Sequence, residues 1–156
     1  MARYRILLAD SSPQFQTTVR DYLLAQDNID RVDVVSDGQA ALDAMAGTHY
    51  DVLLCDLIMP RLDGFELLER LSGGLVESPP ATIIVSAMRH EDMVRQACTL
   101  GARYFMIKPV DPDTLYKRIL DMLESTYAQR SQTCTVGNRP QTLDEKIASI
   151  FLVIGI

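Results

Sequence analysis

Four polar residues stand at the ends of four apolar runs. Asp10 follows residues 4–9, Asp56 follows 51–55, Ser86 follows 82–85, and Lys108 follows 104–107. Two carboxylates, a hydroxyl and an ammonium are the groups that phosphoryl transfer to an aspartate needs. A carboxylate can attack phosphorus only if the charge on the phosphoryl oxygens is neutralised. A magnesium ion held by carboxylates and backbone carbonyls does part of this. A lysine adds a point charge, and a nearby hydroxyl can hold one phosphoryl oxygen. The central stretch is residues 50–64, where an apolar run climbs to Asp56 and Pro60 then stops it. Burying a charge unpaired is costly, so Asp56 requires a metal ion or a lysine as company. A lone aspartate at a strand end would read as a turn cap; within this constellation Asp56 reads as a phosphoryl acceptor.

The elements that must position these residues are legible as a repeat of strand then helix. Residues 4–9 read as a buried strand, and Pro13 sits early in a helix, where its missing N–H is harmless. Phe15, Val19, Tyr22 and Leu23 recur at helical spacing through 13–26. Residues 32–35 form a short strand, 39–46 an alanine-rich helix, and 51–55 the central strand. Asp63 is placed to cap a helix over 64–71. Residues 82–85 form a strand, 90–100 a helix closed by Gly101, 104–107 a fifth strand and 112–128 the last helix. The strands are continuous apolar runs, which indicates a parallel sheet covered on both faces. The expected fold class is α/β, a doubly wound five-stranded parallel sheet with function at the C-terminal strand ends.

Composition sets limits on function. The chain has 156 residues and a net charge of −6. Residues 1–128 hold 12 Lys/Arg against 19 Asp/Glu, while 129–156 hold 3 against 2. An acidic main domain is a poor direct reader of nucleic acid. No apolar run is long enough to span a bilayer, so no membrane partner is expected. The cysteines Cys55, Cys98 and Cys134 are odd in number and unrelated in spacing, giving neither a disulfide framework nor a zinc pattern. A reducing cytoplasm is the simplest expectation.

These residues carry a resemblance. Over residues 3–128 the chain resembles the receiver domain of two-component response regulators. The matching motifs are Leu8-Ala9-Asp10, Asp56-Leu57-Ile58-Met59-Pro60 with Asp63-Gly64, Ile84-Val85-Ser86-Ala87, and Gly101-Ala102 followed by Lys108-Pro109. The resemblance implies the flavodoxin-like receiver fold, with Asp56 phosphorylated by a histidine kinase or phosphotransfer protein. It implies Mg2+ as cofactor, held by Asp10, Asp56 and the backbone carbonyl of Ile58. It implies Lys108 as the phosphoryl-binding cation, Ser86 and Phe105 as a switch pair, a cis peptide at Lys108-Pro109, and homodimerisation on phosphorylation. One position departs from the family. Receivers usually carry two adjacent acidic residues after the first strand, and here the pair is Asp10-Ser11. Ser11 stands where the family has a direct carboxylate ligand, and a neutral hydroxyl should weaken magnesium binding.

Residues 129–141 are polar with Gly and Pro and read as a linker. Residues 142–156 open with a capping-box pattern and an apolar face of Leu143, Ile147, Ile150, Phe151 and Ile154. That segment resembles the opening helix of the DNA-binding domain of a sporulation-type response regulator. It implies a transcription output, with DNA contacted only through a further C-terminal domain. If ordered, this apolar face should dock on its own receiver or on a neighbouring chain. Two other readings are kept. The first is a phosphorylation-independent pseudo-receiver acting as an interaction module. The second is a phosphatase with an aspartyl intermediate. The phosphatase usually carries an Asp two residues after its nucleophile, and that position is Ile58, so no enzyme activity is expected.

Overall fold

The computed structural model describes residues 3–124 and 135–137. Five strand-helix units run in order: β1 (Tyr4–Ala9), α1 (Pro13–Leu24), β2 (Ile29–Val35), α2 (Gly38–Gly47), β3 (Val52–Cys55), α3 (Gly64–Ser72), β4 (Ala81–Ser86), α4 (Glu91–Thr99), β5 (Tyr104–Ile107) and α5 (Pro112–Glu124). The expected five-stranded parallel sheet is present. A short strand β6 (Thr135–Gly137) then adds to its edge, giving the order β2-β1-β3-β4-β5-β6. These three residues fall inside the stretch that reads as linker. The tail over 142–156 lies outside the described residues.

Strand parity sorts the core into two layers, because successive side chains of a strand point to opposite faces. Leu7, Leu53, Ile84 and Phe105 pack under α2, α3 and α4. Ile6, Leu8, Leu54, Ile83 and Met106 pack under α1 and α5. The apolar runs are continuous because both faces are covered. Three of the helix starts have a local cause in a capping side chain. Ser12 Oγ accepts the Phe15 N–H at 3.3 Å, with Pro13 beginning the helix. Asp37 Oδ1 accepts the Ala40 N–H at 2.8 Å, and Asp63 Oδ1 accepts the Glu66 N–H at 2.9 Å. α1 ends at Leu24, two residues short of the expected end, with Ala25 already its C-cap.

β1 lies between β2 and β3. The chain therefore reverses its winding direction there, and in open parallel sheets that switch point is where function gathers. Ala9 and Cys55 are in register, so Asp10 and Asp56 leave adjacent strands side by side.

One expectation is corrected. The cysteine spacing offers no disulfide, yet Cys98 is disulfide-bonded, while Cys55 is free and buried. Spacing along the chain does not report which thiols the fold brings together.

Candidate functional site

Asp10 is 1% exposed and Asp56 9%, and both carboxylates meet one ammonium. Lys108 Nζ donates to Asp10 Oδ2 at 2.8 Å and to Asp56 Oδ2 at 3.0 Å. The lysine is delivered by the end of β5, where its backbone N–H bonds the Ser86 carbonyl at 2.9 Å. The Lys108-Pro109 peptide is cis. Nζ also lies 4.4 Å from the centroid of the Phe15 ring, a cation–π contact from the first turn of α1. The remaining carboxylate oxygens are taken by backbone. Asp10 Oδ1 accepts the Ser12 N–H at 2.8 Å, and Asp56 Oδ1 accepts the Ile58 N–H at 3.2 Å.

Lys108 is held above its ordinary pKa. Burial alone would pull the ammonium down, and its hydrogen bonds and attraction to Asp10 and Asp56 outweigh that. A lysine raised in the folded state contributes stability that is fully present below its unfolded pKa. That contribution is lost as pH rises through the folded value, above the ordinary lysine range of about 10.4. The urea midpoint difference between wild type and Lys108→Met should therefore stay flat through neutral pH and shrink only in strongly alkaline solution. A difference that collapses near neutrality would contradict this. Cys55, next to Asp56, donates its thiol to the Asp56 carbonyl at 3.1 Å. Burial, and then the charges of Asp56 and Asp10, push its pKa far up, so it remains an inert thiol.

The structure brings Asp10, Asp56 and Lys108 into one cluster. Ser86, 1% exposed, closes β4, and its Oγ accepts the Met88 N–H at 3.1 Å. Phe105 lies on β5 and is wholly buried, within the layer under α3 and α4. Ser11 is exposed, one residue ahead of the helix cap at Ser12. Ile58 is exposed at 60%.

A magnesium site can be tested on its donor set. Two carboxylates converge on one point, and magnesium commonly takes one or two carboxylates while keeping several waters. The set fits the ion at that minimum. Among the described residues no group of three or more His, Cys, Asp or Glu side chains is placed to hold a metal. Lys108 cancels one of the two negative charges, so the cluster is left with a single net negative charge.

Several supporting residues were not singled out from sequence. Phe15 reads there as an ordinary core position of an amphipathic helix. Gln16 donates its amide to the Asp10 carbonyl and to Ser36 Oγ at 3.1 Å, tying α1 to the β2–α2 turn. Arg61 has a left-handed φ of 67°, uncommon for a residue with a Cβ. Its guanidinium is anchored on Asp37 Oδ2 at 2.7 and 3.1 Å, fastening the β3–α3 loop to the start of α2.

Gly64 completes the loop. A Cβ there would lie 2.4 Å from the Asp56 carbonyl oxygen and 2.8 Å from Leu57 Cα. Gly64→Ala must push α3 away from the acceptor strand and should cost about 2 kcal/mol, in the usual range for overpacking. Chemical denaturation checks this; an unchanged midpoint would mean that the loop yields without cost. In the sequence Asp63 reads as a helix cap and Asp63-Gly64 as part of the receiver motif, and neither reading marks the close approach at Gly64.

The geometry can be compared with known proteins. A family model described as the response regulator receiver domain matches residues 6–120. Among solved structures, the receiver domain of the Francisella response regulator 1452 is 27% identical with a TM-score of 0.71, the match covering 80% of this chain and 99% of that one. The signal receiver domain of the putative response regulator NarL from Mycobacterium tuberculosis is 27% identical with a TM-score of 0.73, covering 80% and 98%. The chemotaxis response regulator CheY4 of Vibrio cholerae is 22% identical with a TM-score of 0.68, covering 77% and 98%, and shares the fold.

Proposed function

The chain belongs to the response regulator receiver domain family, and on that premise we propose that it is a phosphoacceptor switch with Asp56 as the acceptor. The observation that carries the reading is the cluster itself: two buried carboxylates at adjacent strand ends, held by one ammonium. An Asp56 carboxylate oxygen attacks the phosphorus of a phosphohistidine on a kinase or phosphotransfer protein. The new P–O bond forms as the P–N bond breaks, and the imidazole leaves and takes up a proton. Asp10 and Asp56, with the Ile58 carbonyl, would hold Mg2+, which supplies neutralisation of the phosphoryl oxygens. Lys108 binds a phosphoryl oxygen as a point charge, and Phe15 keeps the ammonium aimed. Ser86 Oγ gives up the Met88 N–H to turn toward the phosphoryl group.

Phe105 responds through packing, since it is already inside. The output surface is then the α4–β5–α5 side, used for a homodimer. The finer likeness of the motifs around Asp63-Gly64, Gly101–Pro109 and the tail is to stage-zero sporulation protein A. On that likeness the receiver covers 1–128, the linker 129–141, and residues 142–156 begin a DNA-binding domain that controls transcription. The site is tested by incubating the chain with acetyl phosphate and magnesium and weighing it. Wild type should gain one phosphoryl mass and Asp56→Asn none; an adduct that persists in Asp56→Asn would overturn the assignment.

A second reading has its own support. Lys108 already satisfies both carboxylates, and Ser11 is neutral and exposed. A receiver in that condition can act as a phosphorylation-independent interaction module. The absence of magnesium binding at millimolar concentration would favour it over the first.

A further inference from the structure

The turn between β2 and α2, residues 36–38, supplies no member of the Asp10, Asp56 and Lys108 cluster, yet it touches the loops that carry both carboxylates. The register of β1 and β3 ends at Ala9 and Cys55. Beyond it the chain leaves Asp10 toward α1 and leaves Asp56 toward α3. The 36–38 turn is bonded to both paths.

On one side, Gln16 Nε2 donates to the Asp10 carbonyl and, at 3.1 Å, to Ser36 Oγ. On the other, the Arg61 guanidinium donates to Asp37 Oδ2 at 2.7 and 3.1 Å. The Gly38 N–H also donates to the Leu62 carbonyl at 3.0 Å. This second side has no slack, because a Cβ on Gly38 would lie 2.2 Å from the Leu62 carbonyl oxygen. The acceptor loop is closed on itself, the Gly64 N–H bonding the Leu57 carbonyl at 2.9 Å. A hold on Arg61 and Leu62 is therefore passed to Ile58.

We propose that the 36–38 turn is a brace that fixes the Asp10 loop against the acceptor loop, with Gln16 and Arg61 as positioning residues for the magnesium donors. Two carboxylates are a minimal set for an ion that demands near-ideal octahedral geometry. Contacts that orient such donors then weigh heavily in affinity. The Arg61 side chain is 65% exposed, so its ion pair contributes little to global stability. Its effect is local placement. The magnesium consequence rests on the phosphoacceptor reading; the brace itself stands on the metal-free protein.

The test is NMR on the full chain, comparing wild type, Gln16→Met, Arg61→Met and the double variant. The reporters are the Ser12 and Ile58 amides, which bond Asp10 Oδ1 and Asp56 Oδ1. Without metal, Gln16→Met should speed solvent exchange at Ile58, and Arg61→Met should speed it at Ser12, each about threefold or more, while the α5 amides stay unchanged. A contact that merely fastens its own loop leaves the remote amide alone. In a magnesium titration each single variant should weaken binding about threefold, and the double variant no further, because either cut severs the same brace. Independent contacts would multiply to about ninefold. The brace is overturned if either remote amide keeps its wild-type exchange, or if the magnesium losses multiply. A wild type that binds no magnesium counts against the phosphoacceptor reading, and the crosswise exchange alone then decides the brace.

Discussion

Lys108→Met is expected to abolish the phosphoryl adduct on Asp56 and to lower the unfolding free energy by about 3 kcal/mol, the low end for breaking a buried ion pair. The side chain is 20% exposed, so some solvent relieves the carboxylates, and the low end is the right choice. Removing the ammonium leaves Asp10 and Asp56 facing one another with no cation between them. It also removes the contact with the Phe15 ring, which is the smaller loss. Urea unfolding near neutral pH reads the stability change, and intact mass after acetyl phosphate treatment reads the chemistry. A double-mutant cycle separates the two roles. Asp10→Asn added to Lys108→Met should recover much of the lost stability, because one of the two stranded charges is gone. It should not recover the adduct, because the phosphoryl oxygens still lack their cation. Lys108→Met unfolding at the wild-type midpoint would mean that the cluster is solvated well enough to stand open.

Ser11→Asp is expected to tighten magnesium binding by about tenfold or more, equivalent to about 1.4 kcal/mol, and to speed adduct formation. The cluster carries two carboxylates and one ammonium, leaving a single net negative charge to attract a divalent ion. A third carboxylate at position 11 doubles that net charge. Ser11 is exposed, so the new side chain meets no steric obstacle and little desolvation. The chain contains no Trp, so calorimetry is a better readout than intrinsic fluorescence. Equal magnesium affinity in the two proteins would show that position 11 does not address the ion. An adduct that forms only in Ser11→Asp would favour the phosphorylation-independent reading of the natural sequence.

Much of the site was legible before any coordinates. Asp10, Asp56, Ser86 and Lys108 each follow an apolar run, and a parallel sheet places all such positions at one end. Helix starts were legible too, because the caps are local: Ser12 with Pro13, and Asp63 with Glu66, lie within a single turn. The residues that went unnoticed serve the site through distant contacts. Phe15 lies below Lys108, and Arg61 reaches Asp37, 24 residues away. Nothing in a window of ten or fifteen residues marks either as part of a site. The polar stretch around 135–137 reads as linker for the same reason, since pairing with an exposed strand edge needs little from the side chains.

The sequence alone determined the order of the five strand-helix units, the two-sided burial of the strands and the gathering of four polar residues at one end. Those features follow from local pattern, namely apolar run length, capping residues and turn residues, which fixes each element wherever it sits. Tertiary structure decided which of the four touch. β1 inserts between β2 and β3, so Asp10 comes beside Asp56. The end of β5 then carries Lys108 to Asp10 across 98 residues of chain. Tertiary structure also decided that Phe105 is wholly buried, that β6 closes the β5 edge and that Cys98 is crosslinked. Strand order and crossover path set these pairings, and both are properties of the assembled sheet that no single segment encodes.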